Sequence, residues 1–373
     1  MKIGIDVRLW NETGVGRYTR NLIKELQKLD QKNEYVLFVL EKDVSSIRYF
    51  VSNKNWKITI ANIRWHSVDE QIKFSQILSN EKLDLVHFPY FSVPVFYSGK
   101  FVVTIHDLII NHFSTGEASM LPRPLYLLKR LGYKSIIAIA AKRAKKIITV
   151  SESTKGEIVE HQKIKPEKIV VTYEGVDARI QNSEFRIQNN RFPKDYFLYV
   201  GNAYPHKNLN ALIEAFAKLV KEKKVKTKLV LVGKKDYFYN RLEKSIESSS
   251  IKNSIIFMHD VSDEMLSYLY RNARSYIMPS LMEGFGLPLL EAMANKCLVV
   301  ASDIPPHREV CGEAALYFNP NNKDDMFEKL NFVSENDLNH FSKQIKDGFE
   351  KSKKFSWRDM AEKTLSVYSS ILL

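Results

Sequence analysis

The sequence predicts an α/β protein built from two doubly wound parallel sheets, one in each half of the 373-residue chain. Short runs rich in Val and Ile recur along the chain, and most lack the strict alternation of strands that face water on one side. Helix-length stretches separate these runs, which is the order of βαβ units in a parallel sheet. The runs are too many for one ordinary sheet, so we expect two domains in series.

The predicted strands are short apolar runs bounded by polar or turn-forming residues. In the first half they cover 2–6, 35–40, 56–60, 83–88, 102–106, 147–150 and 169–173. In the second half they cover 197–200, 228–232, 255–258, 275–278, 298–301 and 316–318. Between them, apolar residues at helical spacing predict helices, for example over 209–222 and 265–271.

A polar stretch rich in Asn and Gln divides the two halves, and Pro193 lies near its end. We interpret it as a linker. The predicted organisation is a first domain over 1–178, a linker over 179–194 and a second domain over 195–355. The C-terminal helix, 357–373, is expected to pack back on the first domain. Open parallel sheets bind ligands at the carboxyl ends of their strands, so we expect the site there.

Composition and charge exclude several classes of protein. The two cysteines, Cys297 and Cys311, are too few for a disulfide-stapled scaffold and favour a reducing compartment, so we expect a cytoplasmic protein. Asp6 and Arg8 interrupt the first apolar run, so we expect no signal peptide, and no apolar stretch is long enough for a membrane span. The net charge of +13 favours an anionic partner: nucleic acid, a membrane surface or a charged substrate.

The positive charge is concentrated between residues 119 and 146. This segment contains eight basic residues and no acidic one, and apolar residues lie among them at near-helical spacing. A cationic amphipathic helix binds anionic lipid, so we predict a peripheral position on the inner face of the cell membrane. The alternative is a core helix whose lysines are merely solvated. No nucleic-acid-binding motif accompanies the charge, and we expect no nucleic-acid partner.

The segment 279–294 is the strongest candidate for a binding site. It follows a predicted strand, contains Gly284 and Gly286, and continues as a helix. A glycine turn that leads into a helix N-terminus favours an anion, because free N–H groups and the helix dipole point at it. Glu283 and Glu291 flank the turn, where carboxylates would accept hydrogen bonds from hydroxyl groups. This pattern suggests a sugar nucleotide; the alternative is a glycine loop with two solvated glutamates.

The same segment resembles the E-x7-E signature of glycosyltransferase family 4. Four further stretches resemble motifs of this family in the expected order, namely 13–18 (TGVGRY), 104–108 (TIHDL), 199–208 (YVGNAYPHKN) and 303–309 (DIPPHRE). The first two of these look most like the motifs of mannosyltransferases. The resemblance covers nearly the whole chain. It implies a retaining enzyme of the GT-B type, in which two Rossmann-like, doubly wound domains face a central cleft.

The resemblance also implies which residues form the active site. His106 would contact the sugar, Lys207 would neutralise the diphosphate, and Glu283 would orient the sugar through its hydroxyls. Lys207 and backbone N–H groups would stabilise the leaving diphosphate, so neither a metal nor a cofactor is expected. Glu291 would hold the ribose diol. The implied donor-binding residues are Gly14, Gly16, Arg17, Gly201, Asn202, His206, Phe285, Gly286, Leu287 and Glu291.

Asn202 and His206 depart from the family pattern, because many members carry an arginine at one of these two positions. An amide and a titratable ring thus replace a permanent bidentate cation. Either Lys207 neutralises the diphosphate with help from Arg17 and the helix terminus at Gly286, or the donor site is weaker. The residues alone leave both possibilities open.

These observations predict a hexosyltransferase that uses a nucleoside-diphosphate sugar. The favoured reaction moves mannose from GDP-mannose onto a lipid-linked or oligosaccharide acceptor during assembly of a surface polysaccharide. A UDP-sugar donor and a sugar-nucleotide epimerase of the same fold are the alternatives. A dinucleotide-dependent oxidoreductase is disfavoured, because Thr19 stands where G-x-G-x-x-G requires its third glycine.

Overall fold

The computed structural model describes residues 1–113, 122–176 and 192–372, and the chain divides into two units. The first unit contains Met1–Asn111 and the described parts of Leu121–Glu174 and Ser356–Leu373. The second contains the described parts of His112–Met120 and Gly175–Phe355. Most of the predicted linker and the first residues of the basic segment lie outside the described residues.

The first unit contains a parallel sheet of seven strands. The strands are β1 (Lys2–Asp6), β2 (Glu34–Val39), β3 (Trp56–Ile60), β4 (Leu85–Phe88), β5 (Phe101–Ile105), β6 (Lys146–Thr149) and β7 (Ile169–Val171). Their order across the sheet is β3-β2-β1-β4-β5-β6-β7. Most of their residues are buried Val, Ile, Leu and Phe, as expected of strands covered on both faces.

Helices connect these strands in the first half of the chain. They are α1 (Thr13–Leu29), α2 (Val44–Phe50), α3 (Ser75–Asn80), α4 (Ile109–His112), α5 (Arg123–Arg143) and α6 (Glu152–Gln162). A π-helical turn, Glu70–Phe74, leads into α3. The Ser151 hydroxyl begins α6 by accepting the Thr154 N–H, which satisfies one of the open donors of the first turn.

The second unit contains a parallel sheet of six strands. The strands are β8 (Tyr196–Val200), β9 (Lys228–Val232), β10 (Ile255–Met258), β11 (Ser275–Met278), β12 (Val299–Ser302) and β13 (Ala315–Phe318). Their order is β10-β9-β8-β11-β12-β13. Every strand of both sheets lies within two residues of its predicted position, which confirms the prediction of an α/β protein with two parallel sheets.

The remaining helices follow the strands of the second unit and close the chain. They are α7 (Leu209–Lys223), α8 (Tyr237–Ile246), α9 (Asp263–Asn272), α10 (Leu287–Ala294), α11 (Pro305–Cys311), α12 (Lys323–Glu335), α13 (Ser342–Ser352) and α14 (Trp357–Leu372). Helix α14 belongs to the first unit, where it packs against α1. None of the described helices is both long and apolar enough to cross a bilayer.

Each sheet has one point at which the strand order reverses, between β1 and β4 in the first and between β8 and β11 in the second. Connections from the two strands at such a point leave in opposite directions, and ligands bind at the carboxyl ends there. The loop after β8 leads to Lys207, and the loop after β11 leads to Glu283. The topology therefore brings these two residues to the same place, although they are distant in the sequence.

Candidate active site

Two loops of the second unit meet at the point where its strand order reverses. One follows β8 and runs from Gly201 to Lys207, and the other follows β11 and contains Glu283. The Leu281 N–H donates to the carbonyl oxygen of His206 over 2.7 Å, which ties the loops together. Their side chains are therefore held in one geometry by the backbone as well as by side-chain contacts.

The loop after β8 begins in a conformation that favours glycine. Gly201 has a φ of +154°, and a Cβ built there would lie 2.7 Å from the hydroxyl oxygen of Tyr199. The Tyr239 hydroxyl donates to the Gly201 carbonyl over 2.9 Å. The Asn202 carbonyl accepts from the Tyr199 hydroxyl over 2.6 Å, and its side-chain oxygen accepts from the Tyr204 N–H over 3.2 Å. Gly201 and Asn202 thus set the shape of this loop.

A buried ion pair joins the two loops. Lys207 Nζ lies 2.6 Å from Glu283 Oε1, and the Ser280 hydroxyl donates to the same oxygen over 2.6 Å. The other oxygen, Glu283 Oε2, has no hydrogen-bond donor within the described residues, although the side chain is 8% exposed. Burial opposes ionisation of Glu283, but the charge of Lys207 holds its pKa below the ordinary value. Glu283 is therefore an ionised carboxylate with one held oxygen and one open oxygen.

Two buried histidines adjoin this pair, and each has one ring nitrogen without a partner among the described residues. These atoms are His206 Nδ1 and His307 Nε2. His307 Nδ1 lies 3.0 Å from the Ser302 carbonyl oxygen, which can only accept, so Nδ1 carries the proton. Burial lowers the pKa of both histidines to about 4. Both rings are neutral at pH 7, so His206 adds no positive charge beside Lys207.

Gly286 immediately precedes α10 and forms the turn that opens this helix. Its φ is +102°, and a Cβ there would lie 2.9 Å from Leu289 Cδ1, so glycine suits the position on both counts. The N–H groups of Gly286 and Leu287 have no backbone acceptor within the described residues. Phe285 is buried and packs edge-on against Phe355 with ring centroids 5.6 Å apart. This is the geometry of an anion-binding helix N-terminus.

Glu291 is the fifth residue of α10, about one turn into the helix, and is 2% exposed. Its Oε2 accepts a hydrogen bond from the Tyr270 hydroxyl over 3.0 Å. A ribose diol would share this carboxylate with Tyr270. The contact between Glu291 and a ribose therefore stays a prediction, with Tyr270 as an added member of the group.

His106 directly follows β5 in the first unit. Its Nε2 lies 2.9 Å from the Pro89 carbonyl oxygen, so Nε2 carries a proton, and its Nδ1 faces Glu174 Oε1 at 3.6 Å. The ring packs edge-on against Tyr18 with centroids 4.8 Å apart. Three neighbours therefore orient this imidazole at the carboxyl end of the sheet, where its side chain is 12% exposed.

A buried series of hydrogen bonds supports Tyr18 behind His106. The Tyr18 hydroxyl lies 3.3 Å from Thr104 Oγ1, which lies 2.8 Å from His87 Nε2. His87 Nδ1 lies 2.6 Å from the Tyr368 hydroxyl on α14. Burial lowers the pKa of His87 to about 3, so its ring is neutral. The C-terminal helix thus contributes to the support of His106.

Gly14, Gly16 and Arg17 lie in the first turns of α1, which begins at Thr13, rather than in a loop before it. A Cβ at Gly16 would lie 2.5 Å from the Trp10 carbonyl oxygen, whereas a Cβ at Gly14 would meet nothing within 4 Å. Gly16 therefore permits the helix to pack closely on the preceding turn. At Gly14 the packing leaves room for a Cβ. All three residues belong to the first unit.

A second buried ion cluster lies at the carboxyl end of β1, and reasoning from the sequence missed it. Arg8 Nη2 lies 2.7 Å from both Asp6 Oδ2 and Glu70 Oε1, and its guanidinium lies 3.8 Å over the Phe74 ring. The Ser92 hydroxyl donates to Glu70 Oε2 over 2.7 Å. The signal that could have found this cluster is the pair of charges within the first apolar run, which we used only to argue against a signal peptide.

Comparisons with known proteins identify the family and the fold of the chain. Residues 13–179 match the family described as Glycosyltransferase Family 4, and residues 181–351 match the family described as Glycosyl transferases group 1. Two curated relatives are the O-antigen chain mannosyltransferase RfbU of Salmonella typhimurium (26% identical, 83% of this chain and 84% of the relative) and the O-antigen chain mannosyltransferase B of Escherichia coli (28% identical, 95% and 96%). The solved structure of Anabaena HepE in complex with UDP-glucose is 16% identical and aligns with a TM-score of 0.76 over 99% of this chain and 100% of that chain, which shows a shared fold.

Proposed function

The chain belongs to glycosyltransferase family 4, and we propose that it transfers a hexose from a nucleoside diphosphate to an acceptor hydroxyl, with retention of configuration at the anomeric carbon. The observation that carries the proposal is the buried Lys207–Glu283 pair, in which one carboxylate oxygen is held and the other is open. The N–H groups of Gly286 and Leu287 lie in the same loop, next to a helix dipole. A sugar diphosphate needs a cation and open N–H groups to bind its phosphates, and a carboxylate to accept hydrogen bonds from its sugar hydroxyls.

The reaction exchanges one carbon–oxygen bond for another. The bond from the anomeric carbon to the diphosphate breaks, the acceptor oxygen bonds to that carbon, and the acceptor proton goes to the leaving phosphate. Negative charge grows on the diphosphate as its bond breaks, and Lys207 with the N–H groups at Gly286 would stabilise it most in the transition state. We propose that this set of donors acts without a metal ion or cofactor.

Glu283 would position the sugar. Its Oε1 is already held by Lys207 and Ser280, so its Oε2 is the atom that would accept a sugar hydroxyl. Because Lys207 keeps the pKa of Glu283 low against the effect of burial, the carboxylate accepts at neutral pH without first losing a proton. A contact between His106 and the sugar stays a prediction; three neighbours orient this ring, and its side chain is 12% exposed.

Because Asn202 and His206 stand where many family members carry an arginine, Lys207 is left as the main cation that would neutralise the diphosphate. The ring of His206 is neutral at pH 7 because burial lowers its pKa to about 4. Asn202 uses its carbonyl and its side-chain oxygen within the loop itself. The first of the two possibilities left open by the sequence is that Lys207 neutralises the diphosphate with help from Arg17 and the helix terminus at Gly286. We favour the part of it that the second unit supplies, namely Lys207 and that helix terminus.

The donor is proposed to be GDP-mannose and the acceptor a lipid-linked or oligosaccharide chain in assembly of a surface polysaccharide. The support is that the two curated relatives are O-antigen chain mannosyltransferases. A UDP-sugar donor is the second candidate, because the HepE structure holds UDP-glucose. An epimerase of the same fold is separated from both by its product, since it would release an isomerised sugar nucleotide without using an acceptor.

The test is a transfer assay on Lys207→Ala and Glu283→Ala with GDP-mannose and UDP-glucose as donors. Removing a donor to the developing charge should lower the turnover by about 10²- to 10³-fold. Arg358→Ala is the matched control, because Arg358 is an exposed residue of α14 whose one ion pair among the described residues is with the exposed Glu362. Near-wild-type turnover in both site variants would exclude the proposed active site.

We also propose that α5 rests on an anionic membrane surface. Leu125, Leu127, Leu128 and Leu131 are each more than half exposed on this helix, and Lys129 lies among them. Exposed leucines between cations fit the boundary between lipid headgroups and acyl chains. Leu127→Asp with Leu131→Asp should abolish flotation with anionic vesicles at low salt, whereas Tyr237→Asp with Leu338→Asp, which changes two exposed apolar residues of the second unit, should not. Absence of flotation by the wild type would reject the membrane contact.

A further inference from the structure

A cleft of about 380 Å³ in the first unit is lined almost entirely by lysines. Ile164 and Glu167 complete the lining among the residues that the structure describes. We call this feature the lysine cleft; its six lysines are Lys142, Lys145, Lys146, Lys163, Lys165 and Lys168. Neither the motifs at the strand ends nor the proposed transfer reaction uses any of them.

The register of two neighbouring strands builds the lysine cleft. Strands β6 and β7 are parallel with Ile147 opposite Ile169, so Lys146 and Lys168 lie side by side at the amino ends of these strands. The other four lysines come from the last turn of α5 and from the turns that precede the two strands. Because all strands of the sheet are parallel, this edge is opposite to the edge at which His106 follows β5.

The lysine cleft holds positive charge that the described part of the chain does not neutralise. Lys146 Nζ donates to the Glu167 carbonyl over 2.8 Å, and Lys168 Nζ donates to the Lys142 carbonyl over 2.7 Å, so both are fixed by neutral groups. Among the described residues, none of the six lysines forms an ion pair with a carboxylate. Burial and the nearby charge of Lys145 lower the pKa of Lys168, as expected of cations crowded without a counter-ion.

We propose that the lysine cleft binds a multiply charged phosphate anion, at a site separate from the sugar-diphosphate site of the second unit. Lysine ammonium groups bind phosphate as point charges, and here the positive lining charges exceed the negative ones by five. The cleft has the size of a small-molecule site, for which about 300–1,000 Å³ is usual. The described residues that line it include no aromatic ring on which a base could stack, which disfavours nucleic acid. With nucleic acid disfavoured, the ligands that fit are a phosphate-rich lipid headgroup and a free oligophosphate.

The test compares two variants that lose the same charge. One is Lys145→Gln, Lys163→Gln and Lys165→Gln, three exposed lysines of the cleft, of which Lys163 follows a helix in a left-handed conformation. The control is Lys221→Gln, Lys224→Gln and Lys226→Gln in the second unit, where Lys224 likewise follows a helix in a left-handed conformation. Both triples spare the lysines that are fixed by carbonyl groups.

Tripolyphosphate binding is measured by calorimetry, and vesicles that contain a phosphatidylinositol phosphate are tested by flotation, both at low salt because salt screens exposed charges. The cleft variant should bind tripolyphosphate at least tenfold more weakly than the wild type, and the control should bind as the wild type does. A selective loss of vesicle binding instead supports the same site with a lipid phosphate as its source. Equal behaviour of the two triples, or a selective loss of binding to a DNA duplex alone, would overturn the proposal. Activity is not a readout, so failure of the transferase proposal would leave this result intact.

Discussion

The two buried ion clusters of the molecule differ in how completely their hydrogen bonds are made. In the first unit, all four carboxylate oxygens of Asp6 and Glu70 accept at least one hydrogen bond. In the second unit, Glu283 Oε1 accepts two while Oε2 accepts none within the described residues. His206 and His307 beside it each have a buried ring nitrogen without a partner in the part of the chain that the structure describes.

This difference separates a structural role from a chemical one. A buried charge is tolerated when its hydrogen bonds are complete, and such a cluster fixes the shape of its surroundings. Open acceptors next to a buried ion pair cost free energy, and they are useful only if a ligand completes them. We therefore expect changes in the Asp6–Arg8–Glu70 cluster to reduce stability and changes around Glu283 to reduce ligand binding and turnover.

The largest effect is expected from Arg8→Met, which leaves two buried carboxylates without their cation. The free energy of unfolding should fall by about 3–5 kcal/mol, measured by denaturant titration. Arg358→Met is the control, since it breaks an exposed i,i+4 pair with Glu362 and should cost about 0.5 kcal/mol or less. Similar losses in the two variants would show that the buried cluster is not a main support of the first unit.

Nucleotide binding should stabilise the protein through the open cluster. A nucleoside diphosphate at 100 times its dissociation constant raises the free energy of unfolding by about 2.7 kcal/mol. Thermal shifts with GDP, UDP, ADP and dTDP would identify the base, and Lys207→Met should remove the shift. If the successful nucleotide stabilises Lys207→Met as much as it stabilises the wild type, the diphosphate does not bind at Lys207.

Two serines provide a matched pair, because each donates its hydroxyl to a buried carboxylate. Ser92→Ala removes a bond to Glu70 and should lower the free energy of unfolding by about 1.5–3 kcal/mol without changing the turnover of folded enzyme. Ser280→Ala removes a bond to Glu283 and should lower turnover about tenfold, which corresponds to about 1.4 kcal/mol. The reverse pattern, with turnover lost in Ser92→Ala, would invert the roles assigned to the two clusters.

The smallest effect is a dependence of stability on pH. Burial lowers the pKa of His206 and His307 from 6.5 to about 4, so the unfolded chain binds more protons between these values. The free energy of unfolding is therefore highest above pH 6.5 and decreases as the pH falls towards 4. Each histidine contributes a slope of at most about 1.4 kcal/mol per pH unit. Denaturant titrations across this window should show a smaller slope for His206→Gln.

The pKa of His66, in the first unit, is also lowered to about 4 by burial, so His66→Gln should reduce the slope as well. The two histidines differ in their response to ligand. A bound diphosphate beside His206 would favour its charged form and raise its pKa, whereas His66 should be unaffected. If saturating nucleotide leaves the contribution of His206 unchanged, the phosphates bind elsewhere.

Much of the fold was predictable because strands and helices follow from local patterns. Buried parallel strands are continuous apolar runs, so their positions could be located to within two residues. The glycine turn after β11 pointed to Glu283, and the resemblance to family motifs pointed to Lys207 after β8. The start of α1 was not predicted: helical hydrogen bonding begins at Thr13, so Gly14 and Gly16 lie within the helix despite the low helix propensity of glycine.

The sequence by itself determined the order of strands and helices, the family, and the residue types available at each strand end, since these depend on neighbours along the chain. Tertiary structure alone decided which oxygen of Glu283 stays open, which histidines become neutral, and that Glu70 reaches Arg8. It also gathered lysines from two strand starts into one cleft through the register of β6 and β7. Such features arise from contacts between residues far apart in the chain and from the removal of water around them, and no local pattern encodes either.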